Sequence, residues 1–187
     1  FNFQLMHFAG EDGVAAYGTL MYVNFIFVAI FLGYSIGSAP IVSYHYGARN
    51  SEELKNLLTK SLKMIGVWSV ALFALAQLIA SPLARIFVGY DPNLFDLTRH
   101  GFRIFCLAFL VNGFNIYGSS FFTALNNGLL SAVISFLRTL VFQIASVLLL
   151  PMIFGIDGIW GAVFVAEILT LCVTIICLAK KQKVYHY

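Results

Sequence analysis

Five stretches of this chain are long and apolar enough to cross a lipid bilayer, and that feature leaves few folds open. A spanning helix needs about 20 mostly apolar residues. Ala16 to Tyr44, Leu62 to Ala80, Phe102 to Leu125, Leu129 to Phe154 and Ile159 to Ala179 meet this need. The runs are continuous rather than alternating, so helices are expected and not a barrel. Phe1 to Ala9 reads as the last turns of a sixth helix. The expectation is an all-α, polytopic transmembrane bundle over residues 1–187: five full spans, the end of a truncated one, and a tail over 180–187. Only 10% of residues are charged, against about 25% in soluble domains. The chain starts Phe-Asn-Phe-Gln, without Met or a signal-peptide pattern, which reads as a piece of something longer.

The connections are short. Gly10 to Gly13, Asn126 to Gly128 and Gly155 to Gly158 pair Gly with Asn or Asp, residues that tolerate tight turns. Sequential helices should therefore be antiparallel neighbours. Between the first two spans, Leu54, Leu57, Leu58, Ser61 and Leu62 recur at helical spacing. Asn50 followed by Glu53 has the spacing of an N-cap with a reciprocal Glu. That segment reads as an interfacial helix leading into the second span. Asp91 and Pro92 open a short helix before the third.

Lys and Arg set the orientation. Arg49, Lys55, Lys60, Lys63, Lys180, Lys181 and Lys183 lie on one side; Arg85, Arg99 and Arg103 lie on the other. The positive-inside rule places the first group, and with it the C-terminus, in the cytoplasm of a multi-pass cell-membrane protein.

Several motifs admit a structural and a functional reading. "GYSIG", Gly33 to Gly37, matches the nucleophile-elbow pattern, but that needs a strand before the turn. Within a helix the two glycines read as a close-packing face. In "SAPIVSYHYGARN", Pro40 should kink the helix end and free carbonyls; the alternative is a helix that simply ends at the interface, with Gly47 as its C-cap. His45 fits an interfacial position between Tyr44 and Tyr46. Asn112, Asn115, Ser119 and Thr123 share one helix face, as do Asn24, Ser35 and Ser38. Such stripes serve as helix–helix glue or as the wall of a water-filled path. Cys106, Cys172 and Cys177 show no pairing that implies a disulfide or a zinc site. No phosphate-binding loop and no zinc spacing is present. The expectation is therefore no catalytic centre, no metal site, no cofactor and no nucleic-acid partner, with any driving force taken from an ion gradient.

Arg138 and Glu167 are the two charges deep in the spans. A charge at a helix centre costs about 2.5–3.5 kcal/mol on insertion scales, so it should face a partner. At 1.5 Å per residue, Arg138 lies roughly 14 Å and Glu167 roughly 18 Å from the same end of adjacent antiparallel helices. They are expected to pair or to bracket one polar site. The pair is either a static bolt or a switch that opens when the carboxylate is protonated.

"GEDGVAAYG", "GSAPIVSYHYGARN", "IFVGYDP", "FFTALNNG", "ISFLRTLVFQ" and "GIDGIWGAVFVAEIL" occur in this order. Together they resemble the C-terminal half of a MATE (multidrug and toxic compound extrusion) transporter, in the branch near the MepA-type exporters. The resemblance implies a twelve-helix protein of two six-helix bundles, of which this chain supplies the second. It implies antiport: small organic, often cationic compounds leave as H+ or Na+ enters, with the missing N-terminal bundle as partner. Gly37, Pro40, Gly47, Ala48 and Asn50 match the family's helix-end motif; Arg138 and Glu167 match polar positions of its last two helices. The sodium-coupled branch places an acid in the third span, where this chain has only Asn112 and Asn115. Asn24, Tyr34, Ser35, Asn112, Asn115 and Ser119 are the expected cavity-lining residues, with Tyr22, Phe25 and Tyr117 as further aromatic candidates. Three other readings stand beside this one: a flippase for lipid-linked sugars, a non-transporting membrane scaffold, and an inactive fragment.

Overall fold

The chain forms five long helices. In this computed structural model, which describes residues 1–185 and 187, they are α1 (Asn2–Gly47), α2 (Ser51–Val88), α3 (Pro92–Ala124), α4 (Gly128–Phe154) and α5 (Ile156–Tyr185). Every described element is helical. Each expected span falls inside one of these helices, except that Leu125 is the C-cap of α3. The helices outrun the spans because polar and charged flanks continue the same helical ladder beyond the apolar stretch.

Gly10 divides α1. Its φ of 62° and ψ of −149° break the helix at one residue, a conformation that glycine adopts without a Cβ penalty. The chain doubles back there, so that Phe1 stacks on Tyr17 with centroids 5.0 Å apart. The expected Gly10–Gly13 connection is thus a single residue, with residues 11–13 already helical.

The end of α1 corrects two expectations. Pro40 lies within the helix with helical φ/ψ, so the helix runs on through it, while the missing proline N–H leaves Ile36 O without its helical donor. Gly47 is the last helical residue, not the cap. The chain instead turns at Arg49 (φ 55°), where Arg49 N–H donates to Tyr46 O and Asn50 N–H to His45 O, the pairing of a Schellman motif. Asn50 does cap α2, its Oδ1 accepting from Glu53 N–H at 3.1 Å. The reciprocal Glu53 bond is absent because Asn50 N–H is already spent on His45. Glu53 instead accepts from Asn56.

Two expected short helices merge with their spans. The interfacial segment and second span form α2 without a break. The segment capped by Asp91, which accepts from Asn93 and Leu94 N–H, runs into α3 through one 3-10 turn, Cys106–Ala108. The expected 180–187 tail is mostly α5; His186 lies outside the described residues. Tyr187 folds back, donating to Leu178 O at 2.9 Å and packing edge-on against Phe121.

The turn between α3 and α4 uses both asparagines. Asn126 takes φ 60°. Asn127 caps α4 through Leu130 N–H and donates to Tyr185 Oη at 2.8 Å. Asn127→Ala should cost about 0.5–2 kcal/mol, read as a lower thermal midpoint in detergent, while Asn127→Asp, which keeps the cap oxygen, should lose less.

At the centre stands α3, which packs against all four other helices. Water expulsion does not drive helices together in lipid; close van der Waals contact does. Gly113 allows it. A Cβ there would meet Phe31 Cε1 of α1 at 2.5 Å and Ile65 Cγ2 of α2 at 2.9 Å. Gly33 and Gly37, expected at a packing face, are exposed among these five helices, with nothing within 4 Å of a built Cβ. Three close-packing glycines, Gly101, Gly113 and Gly118, belong to α3, the helix with all four others as neighbours.

Candidate functional site

One polar network joins the three helices α3, α4 and α5 inside the apolar bundle. Glu167 on α5 is 4% exposed. Its Oε1 accepts from Arg138 Nε at 2.8 Å and Nη2 at 2.7 Å. Its Oε2 accepts from Asn115 Nδ2 at 2.7 Å. The same amide donates to the Glu167 backbone carbonyl, and Thr174 donates to Asn115 Oδ1 at 3.1 Å. Arg138 Nη2 also donates to Asn112 Oδ1. Every oxygen of the carboxylate is thus engaged, the condition under which a buried ion pair escapes its desolvation penalty.

The sequence explains part of this placement. Asn112 and Asn115 sit three residues apart, which puts both amides on the α3 face that meets α4 and α5. Local spacing does not explain Arg138. It lies in a π-helical stretch, Leu137–Phe142, where the ladder runs i to i+5 and one extra residue is wound into the turn. That winding re-aims the side chains on either side of it. No residue in "LRTLVF" announces it.

The Glu167 side chain is 6% exposed and that of Arg138 is 23%, so the carboxylate is the deeper member of the pair. Chemically, the arrangement can hold a charge pair in a low-dielectric interior and can exchange partners. Arg138 has a second side-chain acceptor besides the carboxylate, the Asn112 carbonyl oxygen.

A hydroxyl ladder continues along the α3–α4 seam. Ser119 Oγ lies 2.8 Å from Ser131 Oγ and 2.9 Å from Ser135 Oγ, and Thr123 donates to Ser131. The polar face of α3 is therefore turned into α4 and α5. Asn112 and Asn115, expected on a cavity wall, are buried within the bundle, Asn115 with both ends of its amide hydrogen-bonded.

The remaining candidates lie on α1. Tyr34 is half-buried and donates to Ser61 Oγ on α2 at 2.9 Å. Ser35 is buried, its carbonyl accepting from Ser38 and Ser120. Asn24 is half-buried on the same helix. Gly37, Pro40, Gly47, Ala48 and Asn50 are exposed around the α1–α2 turn. The structure brings Arg138, Glu167, Asn112 and Asn115 into one cluster; Asn24, Tyr34 and Ser35 lie apart from it. Sequence reasoning missed Thr174, Ser131 and Ser135. For Ser131 and Ser135, i, i+4 spacing beside Arg138 was the available signal.

No group of three or more His, Cys, Asp or Glu side chains able to hold a metal occurs among the described residues.

Comparison with known proteins follows from this architecture. The chain is 23% identical over 183 residues to the probable multidrug resistance protein YoeA of Bacillus subtilis (strain 168), covering 95% of this chain and 38% of that protein. Its fold is similar to the outward-facing conformation of a multidrug resistance MATE family transporter of the MOP superfamily. The TM-score is 0.91 at 19% identity, over 99% of this chain and 42% of that one. The inward-facing conformation of a MATE transporter of that superfamily gives 0.89 at 19% identity, over 97% and 42%. The chain thus spans about two fifths of the length of these relatives. The MatE family model matches residues 1–149, and with four fifths of its residues so matched the chain belongs to the MatE family, whose members are transporters and not enzymes.

Proposed function

We propose that this chain is the C-terminal bundle of a secondary active multidrug exporter of the MepA-like branch. It moves small organic, often cationic compounds out of the cell in exchange for H+ or Na+, from the plasma membrane, with its basic end in the cytoplasm. The observation that carries this reading is the buried Arg138–Glu167 pair with its two asparagines, set in a MatE-family bundle. A purely structural helix seam in lipid is satisfied by small residues and hydroxyls; a charged pair at that depth is costly and points to ion handling.

The open face of α1 supports the two-bundle architecture. Tyr22, Phe25 and Ile36 are each more than 60% exposed there, beside the uncovered Gly33 and Gly37. A second six-helix bundle would stand against this face, with aromatic rings available for cation–π contacts worth about 0.5–2 kcal/mol each. The likeness to both outward- and inward-facing relatives fits a bundle that moves as one body in alternating access.

Protonation of Glu167 would remove one charge of the pair, free Arg138 to lean on Asn112, and alter how α4 meets α5. The test is ethidium efflux from cells expressing the full-length parent, with and without Glu167→Gln, at matched membrane abundance. Slow export with a displaced pH profile is expected. Export identical to the parent's would assign coupling to the other bundle; no export by the parent itself would overturn the multidrug reading.

A further inference from the structure

Both α2 and α5 pack on α3. The gap between them is an apolar groove. It consists of two hollows of about 320 and 270 Å3 that share Leu62, Ile175 and Leu178 and so run into one another. One end is marked by Lys55, Thr59 and Gln182. The other reaches Leu171 and Thr174, with Phe114 of α3 in its lining. From Leu171 to Gln182 is eleven residue steps, roughly 16 Å at the helical rise. That is the hydrocarbon depth of one leaflet, about 15 Å.

The chemistry changes along this length. The deep end offers no free polar group, because the Thr174 hydroxyl is donated to Asn115. At the mouth, Lys55 belongs to an end of the bundle with seven basic side chains and only Glu52 and Glu53 as acids. Among the described residues none of those seven makes an ion pair. The opposite end carries Arg85, Arg99 and Arg103 against Glu11, Asp12, Asp91, Asp96 and Asp157. An uncompensated ammonium over a leaflet-deep apolar groove fits one occupant. We infer that the α2–α5 groove holds one acyl chain of an anionic phospholipid, of the phosphatidylglycerol type, with its phosphate against Lys55.

The acyl chain lies along Leu62, Ile175 and Leu178 and ends beneath Thr174, whose hydroxyl orients Asn115. The lipid thereby buttresses the helix that carries Glu167. This inference does not depend on the transport reading, since it is tested by lipid binding and not by efflux.

The test uses the intact purified protein in detergent, titrated with phosphatidylglycerol or with phosphatidylcholine of the same chains, with bound lipid counted by native mass spectrometry. Wild type should retain one phosphatidylglycerol in preference to phosphatidylcholine. Lys55→Gln should weaken that preference about fivefold, the weight of one lysine at an anionic surface, while Arg85→Gln at the far end leaves it unchanged. Ile175→Trp fills the groove from an exposed position (54%) and should abolish retention of either lipid without lowering the thermal midpoint. Unchanged lipid retention in Ile175→Trp overturns the inference, as does an equal loss in Lys55→Gln and Arg85→Gln. Displacement of the bound lipid by inorganic phosphate alone would also overturn it, by showing a free-anion site without an acyl chain.

Discussion

Glu167→Leu leaves the Arg138 guanidinium in the bundle with only Asn112 for company, and the protein should lose about 3–5 kcal/mol of stability. The expected observation is a sharply reduced thermal midpoint in detergent and a smaller monodisperse fraction. The cause is the stranded charge and not the lost contact, so removing the charge as well should reverse most of the loss. Arg138→Met with Glu167→Leu is therefore expected to be far more stable than Glu167→Leu alone. Equal instability of the single and double variants would show that the carboxylate matters for packing around α5 and not for charge balance. The double variant also separates the two roles of the pair. If it folds but does not export dye, the pair handles ions; if it folds and exports, the pair only fastens α4 to α5.

The second large effect sits at the centre of the bundle. Gly113→Val places methyl groups where the Phe31 ring already lies 2.5 Å from a bare Cβ position. Phe31 and Ile65 are both buried and have no free space to move into. Overpacking of this kind costs about 1–3 kcal/mol, and here it would push α1 and α2 off α3 together. Gly66→Ala provides the contrast, since its Cβ would touch Phe114 at an ordinary 3.6 Å and alanine improves helix propensity by about 0.5–1 kcal/mol. A thermal midpoint that falls for Gly113→Val and holds or rises for Gly66→Ala would confirm that α3 sets the helix spacing. Equal midpoints would show that the helices part without penalty.

Much of this molecule was legible before any coordinates. The spans could be read because a bilayer demands about 20 apolar residues per crossing, and that demand is written locally. Caps were legible for the same reason. Asp91 and Asn50 each act on a backbone N–H two or three residues ahead. The depth of Arg138 and of Glu167 followed from counting residues, and their pairing followed from the cost of leaving either alone.

The errors have a common origin. Asn112 and Asn115 were correctly grouped by their spacing, yet whether that face meets water or other helices depends on where α4 and α5 stand. The reciprocal Glu53 bond failed because a residue five positions back in the chain took the donor first. The π-helical turn at Arg138, the hydroxyl ladder of Ser119, Ser131 and Ser135, and the Thr174–Asn115 bond each need two elements in register.

Hydrophobic length and capping chemistry act over one turn of helix, so the amino-acid order alone carried the five apolar spans, the Asn50 and Asp91 caps and the need for a buried ion pair. Which side of α3 each neighbour occupies is a different kind of quantity. It is settled by how Trp160, Phe31 and Thr174 lean on small residues of the central helix, contacts made between residues as many as 82 positions apart. Only when α3, α4 and α5 are assembled do Arg138, Glu167 and the two asparagines close into one network, because each satisfies a polar group that its own helix cannot.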